Sequence, residues 1–267
     1  MSARVRTKIA MIGLGEAGRL YARGFRDAGA DVVGYDVRPL PDVDVPQVSH
    51  PREALDGADL VVSLVGAASA LEVADTTMLH LAASTVFADF NTASPALKEQ
   101  IAQQGAGLGI DVADVAVLAP VPRAAERTPL LASGPAAARV GALLRPLGAP
   151  VEVLEAEAGA AARLKLLRSV FTKGLATLAI ETLGAARAAG AEDWVRAQMA
   201  SELGDEGPAL IERFVAGTYR HAERREHEVR DVLDALEAAS QPADMTRGTL
   251  AWFQRILAER TGTGADD

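Results

Sequence analysis

Residues 8–18, Lys8-Ile9-Ala10-Met11-Ile12-Gly13-Leu14-Gly15-Glu16-Ala17-Gly18, decide the fold. A short apolar run that enters Gly-x-Gly-x-x-Gly and then helix-forming residues reads as strand, tight turn and helix. In that setting Gly13 permits the turn, Gly15 lets a pyrophosphate approach the backbone, and Gly18 lets the helix pack closely on the strand. Leu14, Glu16 and Ala17 complete the turn. The start of the helix offers unpaired N–H groups and the positive end of a dipole to phosphate. Asp31–Tyr35 reads as the second strand and ends beside Asp36, about 20 residues on, where this fingerprint wants an acid. Without such an acid the same glycines would pass for an ordinary turn. Asp36 is expected to accept the ribose hydroxyls of NAD and to repel a 2′-phosphate. Arg38, just beyond it, is suited to hold that phosphate instead, so NAD is favoured and NADP stays open.

Outward from this turn, short β-branched runs alternate with helical stretches as far as residue 155. The runs are Lys8–Gly13, Asp31–Tyr35, Leu60–Val65, Thr85–Phe90, Leu130–Ser133 and Val151–Leu154. Near-continuous apolar segments of this kind mark parallel strands buried on both faces. Between them Ala17–Ala28, Ala70–Leu81, Pro95–Gln104 and Ala136–Leu147 read as crossover helices. The first half is therefore a doubly wound α/β domain. Ser63, Leu64 and Val65 close the third strand at the end where ligands sit in such sheets, so they are expected to flank the adenosine ribose and diphosphate. Ser63 as a cap on the following segment is the alternative.

From about Ala158 the strands vanish. Gly159–Ala189 is rich in Ala and Leu and free of proline, long enough for a helix of roughly 45 Å. Gly190, Gly204, Gly207 and Gly217 are expected to punctuate shorter helices. His221–Ala239 reads as another helix, with Thr246 capping a last one through Arg260 and a frayed tail over Thr261–Asp267. The expected organisation is a Rossmann domain over 1–157, and an all-α domain over 158–267 joined to it by the long helix.

Apolar residues at 49% and charged residues at 24% fit a water-soluble chain with a substantial core. A net charge of -9 argues against a nucleic-acid partner, since phosphate binding needs a concentrated cationic surface. With no cysteine, disulfides, thiolate metal sites and cysteine nucleophiles are excluded. His50 and His80 have no partners at metal-ligand spacing, so no metal site is expected. Met1–Thr7 is too short for a signal peptide. No apolar run approaches the roughly 20 residues of a membrane span. Neither a membrane nor export is expected, and the cytoplasm is the default location.

The Gly13–Gly18 turn, Asn91-Thr92-Ala93-Ser94-Pro95 and Gly159-Ala160-Ala161-Ala162-Arg163-Leu164-Lys165 together resemble the β-hydroxyacid dehydrogenase superfamily. Its members include 6-phosphogluconate, 3-hydroxyisobutyrate and L-threonate dehydrogenases and tartronate semialdehyde reductase. The second half, with Ser169–Gly174 and His221–Arg225, resembles a poorly characterised helical domain often fused to that NAD-binding domain. The resemblance implies NAD(P)-linked oxidation of a hydroxy acid, or the reverse reduction, in a homodimer. It places the catalytic lysine on Lys165, and Ser169 where the family usually has Asn. Thr92 corresponds to a loop residue that approaches the nicotinamide, and Asn91 stands where relatives commonly have Ser. The chemistry suits a lysine: hydride joins or leaves a carbon while a proton must join or leave its oxygen. In an apolar cleft beside Leu164, Leu166 and Leu167 the ammonium loses solvation and its pKa falls toward neutrality.

One stretch departs from the family. Relatives carry a DxPxSGG-like substrate loop, and Asp114-Val115-Ala116-Val117-Leu118-Ala119-Pro120 stands in its place. Asp114 remains, Leu118 replaces the hydroxyl and both glycines are gone, which hints at a less polar substrate than a sugar acid. Lys173 is a candidate for a substrate carboxylate or phosphonate. The helix over His221–Leu236 is either a solvated, ion-paired face or one from which Arg224, Arg225 and His227 bind an anionic group. Residues His227-Glu228 stand where relatives have a Lys-Asp pair. The leading expectation is hydride transfer between nicotinamide and a small hydroxy acid or carbonyl substrate, with Lys165 moving the proton. An imine reductase on the same scaffold and a non-catalytic dinucleotide-binding regulator are the alternatives.

Overall fold

The computed structural model describes residues 6–38, 40–41 and 43–262. Its elements in chain order are β1 (Lys8–Ile12), α1 (Glu16–Asp27), β2 (Asp31–Tyr35), α2 (Pro51–Leu55), β3 (Leu60–Ser63), α3 (Ala67–Met78), β4 (Val86–Asp89), α4 (Pro95–Gly107) and β5 (Asp111–Val117). They continue with β6 (Leu130–Ser133), α5 (Ala137–Leu144), β7 (Val151–Val153), α6 (Ala160–Ala188), α7 (Glu192–Glu202), α8 (Gly207–Arg220), α9 (Ala222–Ala238) and α10 (Asp244–Gly262). The chain divides into two compact units, Met1–Lys165 and Leu166–Asp267, so the division falls inside α6.

The first unit is a seven-stranded sheet in the order β2-β1-β3-β4-β5-β6-β7. Alternate residues of each strand enter opposite faces, because side chains in a strand point alternately up and down. Ile9, Met11, Val86 and Ala88 join Tyr21 and Phe25 of α1 in one core. Ala10, Ile12, Val61 and Phe87 join Met78, Ile101 and Leu55 in the other. Two buried faces explain why these strands read as unbroken apolar runs.

Two features correct the expected topology. β5 carries no continuous apolar run, because Asp111 and Asp114 interrupt it, yet it is the longest strand and pairs with β4. β6 lies antiparallel to β5. The connection over 118–129 holds only short 3-10 turns and no crossover helix, so the chain has no means to return in parallel. The short helix α2 was not foreseen; His50 caps it, its Nδ1 accepting the Arg52 N–H at 3.2 Å.

The second unit is all helical, as expected. A small core of Ile180, Ala222, Val229, Phe253 and Ile256 holds α6, α8, α9 and α10 together with Val215, Leu250 and Leu257. Gly190 and Gly204 adopt positive φ at helix ends. Gly217 does not stop a helix but lies inside α8, and Thr246 does not cap α10, which begins at Asp244 and buries Thr246 in its first turn. Thr261 and Gly262 belong to α10. The rest of the expected tail, and residues 1–5 of the expected leader-free start, lie outside the described residues. No helix among the described residues is long and apolar enough to cross a membrane.

Candidate active site

The glycine turn joins β1 to α1 at the carboxyl end of the sheet. Gly13 has φ +96°, and a Cβ there would meet the Leu64 carbonyl oxygen at 2.5 Å. A Cβ on Gly18 would come within 2.0 Å of the Gly13 carbonyl oxygen. Both glycines are therefore required by the protein's own packing. Gly15 is different: a Cβ there would meet nothing within 4 Å. The space over Gly15 is free for a ligand, and no side chain caps α1, so its first N–H groups face that space. Glu16 and Ala17 form the first turn of α1, with Glu16 exposed. The residues present fit a dinucleotide pyrophosphate by the open space at Gly15 and the uncapped amides beside it.

Asp36 is half-buried just past β2, and its carboxylate ties two segments together. Oδ2 accepts the Leu14 N–H at 2.8 Å and Oδ1 accepts the Arg38 N–H at 3.0 Å. The acid is thus fixed against the glycine turn, with a lone pair left on each oxygen. Arg38 is exposed beside it.

The loop after β3 is held from behind. Ser63 is fully buried, and its Oγ accepts from Asn91 Nδ2 at 3.1 Å. The Ser63 hydroxyl thus faces the interior, which leaves only the backbone of Ser63 to flank a ribose or diphosphate. Asn91 Oδ1 accepts the N–H groups of Val65 and Gly66, each at 2.7 Å, so the Leu64–Gly66 backbone is fixed beside Gly13.

Thr92 follows Asn91, and Lys165 Nζ donates to Thr92 Oγ1 at 3.0 Å. The half-buried Lys165 ammonium thus meets the loop after β4, at the carboxyl end of the sheet that also carries the glycine turn. Asp114 does not lie on an open loop. It sits within β5 at 1% exposure, its Oδ2 accepting the N–H groups of Gly159 at 3.1 Å and Ala162 at 2.9 Å. The expected substrate contact at Asp114 is corrected accordingly, since these oxygens serve α6 and Lys98. Leu118 follows β5, where its N–H extends the pairing to Pro129, and its side chain packs with Ala116, Leu131 and Ala161.

The remaining candidates belong to the helical unit. Ser169 is half-buried on α6. Lys173 donates to Glu228 Oε2 at 2.5 Å, with side chains 15% and 23% exposed. Burial pushes the Lys173 ammonium below the usual lysine range; Glu228 opposes that fall, and Arg225 and Arg224 add to it. Arg225 Nη1 donates to Thr218 Oγ1 at 2.8 Å. His227 is exposed on α9, and Asp231 one turn on has its carboxyl pushed up, first by burial and then by Asp234. Lys173, Arg225 and Glu228 form one polar cluster in this unit, with His227 outside it.

The sequence reading missed Lys98, Ser133 and the bridging role of Asn91. A signal was present: Leu60-Val61-Val62-Ser63, Val86-Phe87-Ala88-Asp89 and Leu130-Leu131-Ala132-Ser133 each end an apolar triplet on a polar residue. Such residues meet only where their strands neighbour one another in register, as β3, β4, β5 and β6 do here.

Comparison with known proteins gives the family and the fold. Residues 8–155 match the family described as the NAD binding domain of 6-phosphogluconate dehydrogenase, and residues 186–256 match a domain of unknown function. A conserved hypothetical protein from Sinorhizobium meliloti 1021 is 30% identical, with a TM-score of 0.75 over 94% of this chain and 88% of that one. The 3-hydroxyisobutyrate dehydrogenase of Mycobacterium tuberculosis shares the fold, with a TM-score of 0.79 over 95% of this chain and 94% of that one at 18% identity. An uncharacterised 28.5 kDa protein of Methanothermus fervidus is 26% identical over 205 residues, 77% of this chain and 78% of that one. The chain belongs to the 6-phosphogluconate dehydrogenase-type NAD-binding family, within the β-hydroxyacid dehydrogenase superfamily.

Proposed function

We propose that this protein transfers hydride between a nicotinamide dinucleotide and a small hydroxy acid or its carbonyl counterpart, with Lys165 exchanging the proton at the substrate oxygen. The observation that carries this reading is the 3.0 Å hydrogen bond from Lys165 to Thr92, in a loop at the carboxyl end of the same sheet as the glycine turn. A nicotinamide dinucleotide, when bound, supplies the hydride or accepts it. The amides at the start of α1 would hold its pyrophosphate, and Asp36 would accept its ribose hydroxyls. Thr92 fixes the direction of the Lys165 amine, so that a proton can pass to or from an oxygen placed beside it.

Asp36 also favours NAD over NADP. Its carboxylate is held in place by two backbone N–H groups and would face a 2′-phosphate as a like charge. Titration of protein fluorescence with NADH and NADPH should show tighter binding of NADH. Tighter binding of NADPH would transfer the deciding role to Arg38.

Lys165→Met should lower turnover by about 100-fold or more, the scale of a lost acid–base group, and leave dinucleotide affinity nearly intact. A panel of hydroxy acids and cyclic imines, followed at the nicotinamide absorbance, checks the reaction class. Turnover of imines alone would replace the dehydrogenase reading with an imine reductase, and unchanged turnover in Lys165→Met would remove the amine from the mechanism.

The protein is further proposed to act as a homodimer. Phe171, Trp194 and Met245 of the helical unit are 69%, 68% and 72% exposed, apolar area that a second copy of the chain would cover. Light scattering that shows a stable monomer would contradict this.

A further inference from the structure

A row of polar residues crosses the sheet in register. Ser63 pairs with Asp89, Asp89 with Asp114, and Asp114 with Ser133, on the four adjacent strands β3, β4, β5 and β6. All four are at most 1% exposed. Side chains in register on neighbouring strands emerge on one face, so these polar groups meet in the interior.

Lys98 of α4, 2% exposed, closes the row from above. Its Nζ donates to the Asp89 carbonyl oxygen at 2.7 Å and pairs with Asp89 Oδ2 at 3.1 Å and Asp114 Oδ1 at 3.4 Å. Two carboxylates and one ammonium leave an excess negative charge, and the start of α6 supplies the compensating positive end. Asp114 Oδ2 accepts the Gly159 and Ala162 N–H groups, while Ser133 Oγ accepts the Ala161 N–H at 3.0 Å. Gly159 enters this helix at φ +94°, and a Cβ there would collide with Glu99 and with the Pro95 carbonyl of α4. At the other end of the row, Asp89 Oδ1 accepts both the Asn91 N–H at 2.9 Å and Asn91 Nδ2 at 2.6 Å, directly before Thr92.

We infer that the buried row Asp89–Lys98–Asp114, with Ser133, positions the reacting amine by locking the Thr92 loop and the first turn of α6 to a single frame. One end fixes the backbone that presents Thr92. The other fixes the helix that presents Lys165 one turn beyond Ala161. Lys98 and Asp114 are positioning residues that touch neither substrate nor dinucleotide. This rests on the proposed role of Lys165. Its physical basis is the cost of leaving a buried donor or acceptor unpaired, which ties the Thr92 loop and the start of α6 to the one arrangement in which the row is satisfied.

Hydrogen exchange on the dinucleotide-free protein and steady-state kinetics on the same variants test the inference together. Asp114→Ala should speed exchange of the Ala162 amide by about tenfold or more, the sign of local opening. It should lower kcat by about tenfold or more while KM for the dinucleotide stays within about twofold, since only the chemical step loses alignment. Asp114→Asn keeps a carbonyl acceptor for the α6 amides and should return both readouts to within about threefold of the parent. Should Asp114→Ala fail to fold, Ser133→Ala carries the test, with the same signature at the Ala161 amide and an effect of about threefold. Loss of amide protection with kcat unchanged, or Asp114→Asn behaving no better than Asp114→Ala, would overturn the inference. If the parent protein transfers no hydride to any substrate, the proposed reaction fails, and the crystal structure of Asp114→Ala (or of Ser133→Ala) still decides the row. A Lys165–Thr92 separation beyond about 4 Å supports it, and an unchanged hydrogen bond refutes it.

Discussion

The two units of this chain hide their large side chains to different degrees. In the sheet unit Tyr21, Phe25, Phe87 and Phe90 are all buried, packed above and below a sheet covered on both faces. In the helical unit Phe171, Trp194 and Met245 stand largely exposed, and the core cluster is small. The sheet is covered on both faces, whereas the helices of the second unit surround a smaller core and leave these side chains in solvent. The difference teaches where rigidity resides: the glycine turn, Asp36 and the Lys165–Thr92 hydrogen bond all belong to the unit with the complete core.

Three substitutions sharpen or break that contrast. The largest effect is expected from Phe87→Ala, which empties a fully buried site in the sheet and should cost about 3–5 kcal/mol in urea unfolding. A loss under about 1 kcal/mol would mean that this core repacks as freely as a surface. Next, Glu228→Gln leaves the mostly buried Lys173 ammonium without its carboxylate and should cost about 2–3 kcal/mol near neutral pH. The sign with pH follows from the direction of the Lys173 shift. Its folded pKa already lies below the unfolded value, so the unfolded state binds more protons between the two and stability rises with pH there. Without Glu228 that folded pKa falls further, so the deficit of Glu228→Gln should shrink as pH rises toward the unfolded lysine value. Melts at neutral and alkaline pH check this, and a deficit that grows with pH would reverse the assignment. The smallest effect on the fold is expected from Phe171→Ser, within about 0.5 kcal/mol for an exposed site. The same change should weaken self-association in sedimentation, and identical sedimentation of parent and variant would count against the proposed dimer.

Much of the sheet unit was legible because its signals are local. Strands buried on both faces need apolar residues at consecutive positions, which marked β1, β3, β4 and β6, and short β-branched runs marked the edge strands β2 and β7. The glycine turn is equally local, since backbone geometry at Gly13 and close packing at Gly18 dictate the residue. β5 escaped because it opens on the exposed Asp111 and because Asp114 looks like a surface residue until its surroundings are known. Asp114 is tolerated in the interior only because Lys98, Ser133 and the amides of Gly159 and Ala162 at the start of α6 surround it, from chain positions as distant as 133 and 162. Ser63 is the converse case: its position at a strand end is local, whereas the partner of its buried hydroxyl, Asn91, comes from the next strand's loop.

By itself the sequence determined the α/β-then-α order, the dinucleotide turn with its acid at Asp36, and the long helix that bears Lys165. Each depends on residues near one another in the chain, where spacing alone fixes geometry. Only the tertiary structure decided which buried polar groups meet, that β6 runs antiparallel, and that Asp114 holds a helix rather than a ligand. Those outcomes depend on charge compensation between segments brought together by the sheet, and no short stretch of sequence contains both partners.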